Sequence, residues 1–315
     1  MTYHILHIMT RGSFLSVDRG FLVCEYPDKT QNRIAIEDIR AIIAGVQGIS
    51  FTNECIAKLL SHDCVILHCD NKYKPVGWSV SLDRVVRDEA FKNQIRQNKD
   101  FENNLWSILI HHKMNHQSKI LDILKVGNPL KEILKDPYAD EGHVARKYWL
   151  NYFAALGSPQ KREHKGAEKF ENIALNYSYA VISTLIYRSI LIHGLLPNLG
   201  VHHCVNYKST PLVYDLLEPL RGFADLFLYY FYVEYNLYDD DDEIEYNLKL
   251  WIKYFSQNLK DCRIHKDKKT FKFMDAIDVY VNSVTQAFID YDVKKVWIPD
   301  IKNHYISKEN KESEE

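Results

Sequence analysis

The chain has 315 residues, 46% of them apolar, with a formal net charge of −2 and 21 tyrosines against 12 glycines. That apolar share supplies a packed core and excludes a disordered chain, and the length suggests about two domains. The near-neutral charge, taken whole, argues against a nucleic-acid protein, and six cysteines without C-x-x-C spacing argue against a zinc ribbon.

The first 82 residues read as strands with one helix. An Asp18-Arg19-Gly20 turn between the apolar runs of residues 14–26 predicts a hairpin. Residues 33–45 and 49–51 read as short strands. In residues 52–63, Thr52 or Asn53 caps, Glu54 complements the dipole, and Ile56, Leu59 and Leu60 share a face, which predicts a helix. The continuous apolar run 64–70 reads as a buried strand, and residues 74–82 close the region.

From Asp83 the period changes to 3.6. Helices are predicted over residues 92–124, 143–156, 170–194, 211–237, 249–259 and 270–291, with Gly194 and Pro197 as stop signals and an interruption at Pro219. Strands followed by helices predict an α+β fold. A small N-terminal β-rich domain spans 1–82, a larger all-helical domain spans 83–305, and 306–315 is a disordered tail. No stretch of about 18 apolar residues spans a membrane. The N-terminus lacks a signal-peptide pattern, and cysteines in apolar runs fit a reducing cytoplasm.

Three elements carry candidate chemistry. Glu141 opens a helix, where a carboxylate also complements the helix dipole. His202 and His203 lie in a loop between two long helices, where histidines are solvated, bonded to backbone or ligands. Asp215 and Glu218 are three apart, on one face of a helix at the edge of apolar sequence. Two carboxylates and one imidazole suit Mg²⁺ or Mn²⁺, the imidazole favouring Mn²⁺. There is no G-x-S-x-G and no P-loop. His111, His112 and His116 read as surface or interface groups, and the acidic run 239–245 as a solvated loop.

Four stretches together resemble one family: residues 36–77, DEGHVARKYW (140–149), LNYSYAVISTLIYRSILIHGLLPNLGVHH (175–203) and YDLLEPLRGFAD (214–225). The chain resembles the CRISPR-associated spacer-acquisition integrases, the metal-dependent DNases of CRISPR adaptation, in their type II form. The resemblance implies that the helical domain is catalytic and the β domain dimerises. It makes Glu141, His203 and Glu218 the catalytic ligands of Mg²⁺ or Mn²⁺, with Asp215 behind them and Arg84, Arg146 and Arg221 touching phosphate. Two departures are Arg221-Gly222 for the family's Arg-Pro and Ser178 for the glycine of Asn-Tyr-Gly-Tyr. The implied reaction is attack of a DNA 3′-hydroxyl on a phosphodiester at the leader–repeat ends, inserting protospacer DNA into the CRISPR array. Water as nucleophile would make the same site an endonuclease. The alternative is a catalytically inactive subunit that binds branched DNA. Implied partners are double-stranded DNA (protospacer and repeat), a second copy of the chain, a small ferredoxin-like adaptation protein and further type II adaptation proteins.

Charge is unevenly distributed. The run 239–245 carries −6 and residues 308–315 carry −2, which leaves +6 on the rest of the chain. Residues 72–99 alone carry +4, a stretch that fits either phosphate contact or an ordinary solvated helix face.

Overall fold

The structure is a computed structural model that describes residues 4–71, 73–82, 87–164, 166–204, 209–235, 244–301 and, as backbone, 304–306. Two sheets form the amino-terminal region. One has the order β4-β3-β2-β6, from β2 (Phe14–Asp18), β3 (Phe21–Glu25), β4 (Gln31–Ala35) and β6 (Ser50–Phe51). The other has the order β1-β5-β7-β8, from β1 (His4–Ile8), β5 (Ile39–Ala44), β7 (Val65–Cys69) and β8 (Pro75–Ser79). The β2–β3 hairpin turns at Arg19 and Gly20, with φ of 48° and 83°. Positive φ at both central residues matches the twist of the flanking strands. Helix α1 (Asn53–Ser61) is capped by Thr52, whose side chain accepts from the Cys55 backbone N–H.

Strands β5 and β7 are buried on both faces, which explains their continuous apolar sequence. Ile39, Ile42, Ala44 and Ile66 face the β2–β3 sheet, while Ala41, Ile43, Val65 and Leu67 join the core that the helices build. Trp78 of β8 ties the layers together by donating its Nε1–H to Thr184 at 3.0 Å.

The helical region contains α2 (Asp88–Arg96), α3 (Lys99–Ile123), α4 (Leu130–Ile133), α5 (Glu141–Ala155) and α6 (Phe170–Ile192). It continues with α7 (Pro211–Leu217), α8 (Arg221–Tyr235), α9 (Ile244–Asp261) and α10 (Phe273–Asp290). Helix α6 is buried nearly all round, as a helix without a polar face must be, with α7, α8, α9 and α10 packed against it. No helix among the described residues is long and apolar enough to cross a membrane.

Three expectations change. The helix read over 92–124 is two helices. Gln97 is left-handed at φ 48°, and Asn98 starts the second by accepting from the Phe101 N–H. The helix read over 270–291 begins at Phe273, because residues before it form a strand. The helical region is therefore not all helical: β9 (Cys262–Lys266), β10 (Lys269–Lys272) and β11 (His304–Ile306) make a sheet of order β10-β9-β11. Buried Cys262 and Ile264 alternate with more exposed Arg263 and His265, a period of two that the charged composition conceals. Ile306, read as the start of the tail, lies in β11. Residues 307–315 and most of the acidic run, 239–243, lie outside the described residues.

Candidate active site

One face of α3 supplies Trp106 and Lys113, seven residues apart and so two turns along the same side. Asp140 caps α5 by accepting from the His143 N–H at 2.7 Å, which makes Glu141 the first helical residue. Pro219 cannot continue α7, and a 3-10 turn over Glu218–Leu220 separates α7 from α8. That turn redirects the chain, so Asp215 and Glu218 serve different partners despite their helical spacing.

Glu141 and Glu218 meet at one cation. The Lys113 Nζ lies 2.5 Å from Glu141 Oε1 and 2.7 Å from Glu218 Oε2. Arg221 grips Glu218 from the other side, with Nε 3.0 Å from Oε2 and Nη2 2.9 Å from Oε1. Burial alone would raise the Glu218 pKa, but Arg221 and Lys113 overturn it and hold the carboxyl well below the usual range. Arg221 also stacks on the Tyr179 ring at 4.6 Å. Tyr179 and Tyr148 both donate to the Asp225 carboxylate, which burial raises to about 6.

The histidine loop is organised by Asp215, which is fully buried. Its Oδ2 accepts from the N–H groups of Val201 (2.7 Å) and His202 (3.3 Å), and its Oδ1 from that of His203 (3.1 Å). The same Oδ1 lies 2.7 Å from His203 Nδ1. With a carboxylate as acceptor, Nδ1 carries a proton, so a neutral ring presents its lone pair at Nε2. Trp106 braces the loop from below. Its ring stacks on His202 at 4.0 Å, with 3° between planes, and meets the His203 ring edge-on at 5.8 Å.

Glu141 and Glu218 are thus brought together through Lys113, and His203 is brought to Asp215 and Trp106. Among the described residues, no three His, Cys, Asp or Glu side chains form a group that would hold a metal as they stand. The donor types nevertheless fit a divalent cation. Two carboxylates already share one positive charge, and the imidazole is oriented through the hydrogen bond that ligating histidines use. Arg221 pairs with Glu218, Arg146 is exposed on α5, and Arg84 lies outside the described residues.

His116 is not a surface group. It is 1% exposed on α3 and its Nδ1 lies 2.8 Å from the Pro219 carbonyl, so it pins the turn that carries Glu218. Gly222 sits where a Cβ would meet Ile301 at 2.7 Å and His116 and Ile120 at 3.2 Å. Trp106, Lys113, Tyr179 and Asp225 were not singled out from sequence. The only local signals were the shared α3 face and an aspartate inside the apolar run FADLF.

Burial lowers His116 to about 4, and does the same to His7, which bonds the Tyr177 hydroxyl across the β1–α6 contact. A folded pKa below the ordinary 6.5 means that the unfolded chain takes up protons first. Each histidine therefore contributes stability present above about pH 6.5 and lost towards pH 4, on the order of 3 kcal/mol apiece. We expect the denaturant midpoint to fall from pH 7 to 4.5, and to fall less in His7→Gln. An equal fall in both proteins would show that His7 is not the group that titrates.

The chain matches the family described as CRISPR associated protein Cas1 over residues 6–140 and 138–254, and it belongs to that family. It is 26% identical over 309 residues to the CRISPR-associated endonuclease Cas1 of Neisseria meningitidis serogroup C (strain 8013), covering 96% of this chain and 97% of that protein. A casposase bound to integration product superposes with a TM-score of 0.75 at 18% identity, over 92% of this chain and 91% of that one. A chain of a Cas6-RT-Cas1–Cas2 complex superposes with a TM-score of 0.73 at 14% identity, over 94% of this chain and 36% of that longer one. These two structural likenesses show the shared fold.

Proposed function

We propose that this protein is a divalent-metal-dependent DNA endonuclease and integrase of CRISPR adaptation. The reading rests on one observation: Glu141 and Glu218, from distant elements, converge on the single Lys113 ammonium. The relative named as an endonuclease and the casposase bound to its integration product support it.

In this mechanism Glu141, Glu218 and His203 would hold Mg²⁺ or Mn²⁺, which would supply neutralisation of the charge developing on the phosphoryl oxygens and leaving oxygen. The protein's own contribution is alignment. Arg221 and Lys113 keep Glu218 ionised and aimed, and Lys113 draws Glu141 to the same point. Asp215 fixes the His203 ring so that Nε2 is presented. In strand joining, a DNA 3′-hydroxyl oxygen bonds to phosphorus as the repeat's 3′-oxygen leaves. With water as nucleophile the product is a nick. Arg146 is the exposed arginine near Glu141 and serves as a phosphate contact. Two copies joined through the strand-rich region, with a small Cas2-like protein between such pairs, complete the assembly. The Cas1–Cas2 composition of the similar complex supports the small partner.

The test is joining of a short duplex to a supercoiled leader–repeat plasmid, with Mg²⁺ or Mn²⁺, with and without the small partner. We expect Glu141→Gln and His203→Ala to reduce joining on the order of 10³-fold while duplex binding persists. Joining at the parent rate in either variant would remove that residue from the site.

A further inference from the structure

The β9–β10 hairpin carries charge that the proposed site does not use. Residues 260–272 hold six Lys and Arg side chains against two Asp, a net charge of +4. The strand register sets Arg263 opposite Lys272 and Lys266 opposite Lys269. Like charges directly opposed on an antiparallel pair destabilise it, so both pairs are held against their own repulsion. Among the described ion pairs, none includes Lys260, Arg263, Lys266, Lys268, Lys269 or Lys272.

The register splits the charges between the two faces of the hairpin, Arg263 and Lys272 on one and Lys266 and Lys269 on the other. Cys262 and Ile264 are fully buried beneath it, and Lys266 lies over the Trp297 ring at 4.8 Å. Lys268 and Lys269 stand exposed at the turn. The complement of such a concentration of cationic side chains is a polyanion, and a nucleic-acid backbone carries one negative charge per phosphate.

We propose that the β9–β10 hairpin is a docking surface for the phosphate backbone of duplex DNA, separate from the residues assigned to catalysis. This rests on the reading of the chain as an enzyme acting on DNA. The hairpin explains how a chain of net charge −2 holds a polyanion, because six cations gather on it and the described ion pairs include none of them.

The experiment titrates a fluorescent duplex against the full chain over a series of salt concentrations. In the variant Arg263→Gln/Lys268→Gln/Lys269→Gln/Lys272→Gln, affinity should fall roughly tenfold or more. The slope of log affinity against log salt should become shallower by about 0.9 for each phosphate that the hairpin no longer neutralises. Lys268→Gln/Lys269→Gln changes only the exposed turn, so it folds normally and should show part of the same weakening. The set Lys268→Arg/Lys269→Arg/Lys272→Arg should bind as the parent does. Neutralising Lys131 and Lys135, which pair with Asp122 and Glu132, should change nothing. Parent-like affinity and slope in both Gln variants would overturn the proposal and point to an acidic protein as the partner. Equal weakening on neutralising Lys131 and Lys135 would also overturn it, as an effect of net charge. A parent that joins DNA while the hairpin variants bind normally refutes the hairpin alone. A parent that neither binds duplex DNA nor joins it refutes the functional reading.

Discussion

Glu218→Gln should abolish strand joining and also destabilise the fold by about 3–5 kcal/mol, the range for breaking one side of a buried ion pair. Glu218 is 5% exposed and is the shared anion of Lys113 and Arg221. Glutamine preserves the shape but removes the charge, leaving the Arg221 cation without its carboxylate in a desolvated space while Lys113 keeps only Glu141. Because the folded Glu218 pKa is depressed, its stabilisation is present above the unfolded carboxylate value and disappears as pH falls. The stability gap between parent and variant should therefore narrow in acid. Combining Glu218→Gln with Arg221→Met removes the uncompensated cation and should recover part of the stability and none of the activity. Denaturant unfolding and plasmid joining measure the two effects. A Glu218→Gln protein with parent stability would show that the ion-pair cluster contributes nothing to the fold.

Gly200→Ala should lower joining on the order of 10²-fold and cost about 1–3 kcal/mol of stability. A Cβ at this position would lie 2.6 Å from Asp215 Oδ2, 2.8 Å from the His203 carbonyl and 2.8 Å from Pro211 Cβ. None of these neighbours can give way cheaply. Asp215 is held by three backbone N–H groups and the His203 ring, and the carbonyl belongs to the loop itself. The loop must shift instead, which misaligns His203, and a displacement of about 1 Å is enough for a loss of that size. The strain falls on this loop and on buried Asp215 and Pro211, so the circular dichroism spectrum should stay near that of the parent while the unfolding midpoint falls modestly. Full activity in Gly200→Ala would mean that His203 is not held by this packing. Trp106, stacked on His202, makes the same argument from the other side of the loop.

Much of the local structure was legible. The Arg19-Gly20 turn, the Thr52 cap and the break at Pro219 each rest on the conformational preference of a few neighbouring residues. Errors arose where local signals compete. Gln97 adopts a left-handed conformation inside an otherwise helical pattern, and the lysines of residues 260–272 hide a two-residue alternation. His116 looked like a surface residue because its polar partner, the Pro219 carbonyl, lies 103 residues away along the chain.

The sequence by itself determined the α+β arrangement, the family, and the carboxylates and imidazole worth testing. Periodicity, capping and motif order are carried by residues close together in the chain. Only the tertiary structure decided that Lys113 joins Glu141 to Glu218, that Asp215 serves the histidine loop rather than Glu218's cluster, and that unpaired positive charge gathers on the β9–β10 hairpin. Those relations depend on which helix faces which, and that is set by burial of apolar surface across the whole core rather than by any local run of residues.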